Sequence, residues 1–121
     1  MIVRAHASHI GSSYSTIDLL VFLYERVLRV SPTWEQDRDR FILSKGWAAA
    51  ALYAVLAHRG FIDESLLDEY CVDGSMLTGA VMKCVPGVEA TTCSMGHGLP
   101  IGVGMALAAR IQKSKSRVVV L

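Results

Sequence analysis

The 121-residue chain has no run of lysine or arginine and no stripe that interleaves aromatic with basic residues. Nothing in it therefore argues for nucleic-acid binding, which leaves a clustered basic footprint. Its net charge is only +1, with both signs mixed along the length. It has no apolar run of membrane length and no signal-peptide pattern, so no membrane partner is expected. Cysteine is scarce: Cys71, Cys84 and Cys93 form an odd set with no CxxC pair. A disulfide framework is not expected, and a reducing cytoplasm is the predicted compartment. The four histidines, His6, His9, His58 and His97, do not combine with these cysteines at zinc spacing. His6 and His9 are three apart and could share a helix face, which is weak support for a metal site. Repeats, low-complexity tracts and linkers are also absent, so the chain is one domain or less.

What remains is apolar. Hydrophobic residues make up 52% of the chain and charged residues 19%. That is rich for so short a sequence, and it predicts surface that a partner or further chain would cover.

The periodicity outlines a βαβ-like order. Met1 to Ser8 reads as the tail of a helix, and His9 to Ser13 as a turn. Ser15-Thr16-Ile17-Asp18 resembles a capping box, and Ile17, Leu20, Val21, Tyr24, Val27 and Leu28 recur at helical spacing to about Val30. Pro32 breaks that helix, and Trp34 to Arg40 is a charged loop. Phe41-Ile42-Leu43 reads as a buried parallel strand, and Trp47 to His58 as an Ala-rich helix ended by Gly60. Asp63 caps a short helix to about Tyr70, and Cys71 to Val88 is irregular. Leu99 to Lys113 is a helix of small residues, and Val118 to Leu121 a β-branched strand. The expected class is α/β, a parallel sheet with helices on both faces and ligands at the carboxyl ends of its strands.

One stretch stands out, Pro86 to Leu99, with Thr91-Thr92-Cys93-Ser94-Met95-Gly96-His97-Gly98 at its centre. Gly-rich backbone there can approach a ligand, and the helix that follows begins with unpaired N–H groups suited to phosphate. The same pattern also fits a tight turn before a close-packed core helix.

Four segments, in order, resemble the N-terminal part of transketolase. They are Ala7-Ser8-His9-Ile10-Gly11-Ser12-Ser13, Arg38 to Gly46, Ala51 to Leu56, and Gly87 to Gly104. The resemblance covers nearly the whole chain. It implies that residues 1–121 are a partial diphosphate-binding domain, incomplete at both ends. It also implies thiamine diphosphate, magnesium, and transfer of a two-carbon ketol unit between sugars, with sugar phosphates or related ketoses and aldoses as substrates. A pyrimidine-binding domain on the same or another chain would complete a homodimer or heterotetramer.

By the same resemblance His9 matches a histidine that faces the sugar and the reactive carbon, a catalytic and substrate-binding position. Imidazole can donate to or accept from a hydroxyl there. Cys93, Ser94, Met95 and Gly96 match the segment whose backbone meets the cofactor's aminopyrimidine, although Cys93 also fits an inert thiol. Lys45 is a cation beside the phosphate site and a candidate substrate contact. His97, where transketolases commonly have Gln, is expected to bond within the loop. Glu89 is expected to belong to a polar network, and Arg38, Asp39 and Arg40 to pair with one another or cap neighbours.

Two positions depart from the family pattern. Ser44-Lys45-Gly46 is followed by Trp47 instead of histidine, and Gly79 by Ala80 instead of histidine. The Trp47 indole can donate to a phosphate oxygen but cannot shuttle a proton. These changes imply an altered substrate, a catalytically inactive subunit, or another thiamine enzyme such as a deoxyxylulose phosphate synthase or a dehydrogenase E1 component. The Arg38 to Gly46 segment favours transketolase, and His97 the synthase. The metal ligands of the family, a Gly-Asp-Gly turn and a later Asn, would follow Leu121, so no residue here is assigned to metal.

Overall fold

The computed structural model describes residues 1–33 and 37–121. Trp34, Glu35 and Gln36, the start of the expected charged loop, lie outside the described residues.

Two short parallel strands form the sheet, β1 (Arg40–Ile42) and β2 (Val118–Val120), in the register Arg40 to Val118, Phe41 to Val119 and Ile42 to Val120. Both expected strands are therefore present, each a residue short at its end. Strand alternation sends successive side chains to opposite faces. On one face Phe41 meets Tyr24 edge-on, ring centres 5.4 Å apart. On the other, a Cβ added to Gly102 would touch Ile42 and collide with Val120 at 2.5 Å. Gly102 belongs to α4 (Gly98–Ile111), which lies against β2 on that face. Helical cover on both faces is thus observed.

The first thirty residues differ most from expectation. Met1 to Ser8 is a series of turns rather than a helix tail, with Ala5 N–H donating to the Met1 carbonyl at 3.0 Å and Ala7 N–H to Ile2 at 3.0 Å. His6 and His9, at φ of 49° and 69°, are left-handed, which interrupts a right-handed helix. The expected turn at His9 to Ser13 is a five-residue helix, α1 (Ile10–Tyr14). No capping box forms. The Thr16 hydroxyl donates back to the Ser12 carbonyl instead, because the end of α1 offers a free acceptor four residues earlier. Helix α2 (Ile17–Phe22) does not run to Val30. It widens into a π-helical turn over Leu23–Val27, closed by Leu28 N–H to the Leu23 carbonyl at 2.8 Å, and Leu28 is already extended.

The core centres on α3 (Ala49–His58), which a 3-10 turn over Gly46–Ala48 introduces. Eight of its ten residues are buried, as a helix apolar on all sides must be. Tyr53 is fully buried, and its hydroxyl donates to the Ala80 carbonyl at 2.8 Å. Burial pushes the Tyr53 phenol above its ordinary value, so it remains a donor. Ala80 O also accepts from the Thr78 hydroxyl at 2.9 Å. Tyr53→Phe therefore leaves that oxygen paired and should cost only about 1 kcal/mol, read as a lower urea midpoint at unchanged m. Asp63 does cap its segment, accepting from Ser65 N–H at 2.8 Å, but Glu64–Glu69 is 3-10 rather than α.

Candidate functional site at the end of strand β1

Parallel pairing puts the carboxyl ends of β1 and β2 at one edge of the sheet, where ligands gather in α/β folds. The ladder continues one step beyond the strands, with Leu121 N–H to the Ile42 carbonyl at 3.0 Å and Ser44 N–H to Leu121 at 2.6 Å. The chain then turns through Lys45 into Gly46–Ala48. Three distant segments dock on this turn.

The first is the His9 segment. The His9 and Trp47 rings lie 4.8 Å apart at 30°. Lys45 Nζ donates to Ser15 Oγ at 3.0 Å. The side chains flanking Gly46 thus hold both ends of α1. The second is the stretch 80–82: Val81 N–H donates to the Gly46 carbonyl at 3.2 Å and Val81 O accepts from Thr92 N–H at 3.1 Å. Ala80, one residue before Val81, therefore lies next to this turn.

The third is the loop 89–98. Buried Glu89 pairs with buried Arg38 and reaches Arg40 at 3.5 Å, so it is tied to β1 as the expected polar network. Arg38, Asp39 and Arg40 do not pair chiefly with one another, because alternation along the strand faces them apart. Arg38 and Arg40 take Glu89, while Asp39 takes Arg29 and Arg117. Further along the loop, fully buried Thr92 donates to the Leu43 carbonyl at 2.6 Å. Gly46 packs directly on Thr92, and Gly98 on Ser44, where an added Cβ would lie 2.7 Å from the Ser44 Cα.

Between those anchors Cys93 is half-buried, and Ser94, Met95 and Gly96 are exposed, Met95 by 77%. Gly96 takes φ of 90° and has open space where a Cβ would stand. His97 bonds within the loop through its backbone, N–H to the Ser94 carbonyl at 3.2 Å. His9 is joined to the Cys93 loop through Trp47, Gly46 and Thr92. Sequence reading missed Thr92, Ser15 and Gly98 as positioning residues. The doubled Thr91-Thr92 before a Gly-rich run was the only local sign of the first.

Residues 1–117 match the family described as "Transketolase, thiamine diphosphate binding domain". The chain belongs to this family. It is 42% identical over its whole length to an apulose-4-phosphate transketolase subunit from Phocaeicola vulgatus, of which it spans 44%. Over 85% of its length it is 40% identical to the 6-deoxy-6-sulfo-D-fructose transketolase subunit SqwG of a Clostridium species, of which it spans 38%. Over 88% it is 40% identical to the transketolase of Treponema pallidum, of which it spans 17%. The chain thus spans less than half the length of these curated relatives.

The donors gathered at the strand end suit the diphosphate of this transketolase-family cofactor. Lys45 brings an amino group and the Trp47 indole one N–H; in the first turn of α4 Gly98 and Leu99 have amides, Pro100 has none, and the Ile101 N–H is taken by the His97 carbonyl at 3.4 Å. A metal is different: among the described residues no three His, Cys, Asp or Glu side chains are grouped to hold one. The three cysteines are free. Among the described residues no helix is long and apolar enough to cross a membrane.

Proposed function

We propose that residues 1–121 contribute the diphosphate-binding side of a thiamine diphosphate-dependent transferase that moves a two-carbon ketol unit from a ketose to an aldose. One observation carries the reading: the turn after β1, with Lys45 and Trp47 on it, meets the distant His9 segment on one side and holds Thr92 and Gly98, the two ends of the 93–96 loop, on the other. Thiamine diphosphate, when bound, supplies a nucleophilic carbon and an electron sink. The chain's own residues bind and orient. Lys45, the Trp47 N–H and the α4 amides hold the diphosphate, and the backbone of Cys93, Ser94, Met95 and Gly96 meets the aminopyrimidine. His9 exchanges a proton with a sugar hydroxyl, and Lys45 also neutralises substrate phosphate.

The relatives named for apulose 4-phosphate and for a sulfonated fructose support a ketose with an anionic end group. Their naming as transketolase subunits supports a separate chain for the pyrimidine-binding domain, in a heterotetramer; a homodimer is the alternative. Magnesium accompanies the diphosphate in this reading, and the compartment is the cytoplasm.

Titration calorimetry of the full-length protein with its partner domain, using thiamine diphosphate and magnesium, tests the proposal. Saturable binding is expected, and His9→Ala should lower ketol transfer about a hundredfold or more with binding retained. No binding heat at millimolar cofactor ends the reading.

A further inference from the structure

We infer that Trp47 is a positioning residue for His9, its indole face setting the direction of the imidazole at the mouth of the site. The inference rests on the proposed role of His9 and deepens it. His9 is exposed and begins a helix of only five residues. Among the described residues no hydrogen bond holds its ring; the contact that does is the indole, at 4.8 Å and 30°. A general acid or base works only when its nitrogen is aimed, and an imidazole free to rotate spends most of its time misdirected.

The indole is a fixed surface by contrast. Gly46, just before it, is locked onto the Thr92 backbone, and Ala48, just after it, is fully buried in the core. Trp47 itself is still 39% exposed with His9 against it, so the ring pair sits at the surface rather than in the core. Lys45, two residues away, pins the far end of α1 to Ser15 and keeps the helix from swinging off the indole. A histidine at position 47 would offer a smaller ring and a second titrating group. Tryptophan offers a broad, non-titrating platform.

The test uses the full-length protein assembled with its partner domain. Histidine labelled at 13Cε1 gives one resonance per ring, and His9→Gln identifies the one that belongs to His9. Stacked on the indole, its proton should lie upfield of the other exposed histidines. Trp47→Leu should return it to the ordinary position, and Trp47→Phe should keep most of the shift. In the same variants, assayed at saturating thiamine diphosphate because both lose the indole N–H, Trp47→Leu should lower kcat about fivefold, the worth of one ring pair, while KM for the ketose moves little, and Trp47→Phe should restore most of the loss. An unshifted His9 resonance, or equal kcat in the Leu and Phe variants, overturns the inference. A stacked His9 in an unmodified protein that transfers no ketol unit overturns the transferase reading, with the orientation of His9 by Trp47 still established by its resonance.

Discussion

Gly46→Ala should lose more than about 4 kcal/mol, a cost at the far end of single substitutions. The added methyl would overlap the Thr92 carbonyl oxygen and lie 2.5 Å from its carbonyl carbon. Backbone rather than a flexible side chain stands in the way. Thr92 has nowhere to go, because it is fully buried and held to Val81 and Leu43 by its own N–H and hydroxyl. The strand end and the 89–98 loop must separate instead, and with them Trp47 from the loop that follows Thr92. Gly104→Ala is the control. Nothing lies within 4 Å of its Cβ position, and a helical Gly replaced by Ala gains up to about 1 kcal/mol. Urea unfolding followed by circular dichroism should show the first variant far below, and the second at or above, the unmodified protein. Equal stability of the two would mean that the strand end and the loop are not packed together.

Asp39→Ala should cost about 3 kcal/mol, the low end of the range for breaking a buried pair. The carboxylate is 0% exposed and joins three parts of the chain. It accepts from the Arg29 amide at 2.9 Å and its guanidinium at 2.8 Å, and from the Arg117 amide at 3.0 Å and Nε at 3.1 Å. The two arginines are about half exposed and rehydrate once released, which keeps the cost at that end. Burial opposes the charge of Asp39, yet the bonds from Arg117 and Arg29 outweigh it and hold its carboxyl well below the usual carboxylate range. A depressed folded value means that the charged form is favoured by folding. The contribution is therefore complete above the unfolded value of about 4 and is lost as pH falls below it. Stability measured from neutral pH down to about 2 should fall more steeply for the unmodified protein than for Asp39→Asn. Parallel curves would show that Asp39 does not bear that charge.

The site was legible where chemistry is local. Gly96 and Lys45 announce a loop and a cation whatever surrounds them, whereas the helix of small residues after Gly98 packs closely only at Gly98 and Gly102 and is otherwise largely exposed. His9 beside Trp47 was not legible as a pair, because 38 positions separate them and a ring stack leaves no periodicity. The same holds for Thr92, whose hydroxyl could equally have faced solvent.

Residue order alone settled the α/β class, both strands, the buried Ala-rich helix and the family, since alternation, helical spacing and segment order are properties of neighbours along the chain. Packing settled the rest. Left-handed His6 and His9 cut short the expected first helix, the end of α1 drew Thr16 away from its cap, and α2 opened into a π turn. The Thr16 contest was decided by a carbonyl four residues earlier, whereas the His9–Trp47 and Thr92–Leu43 contacts exist only once distant segments meet.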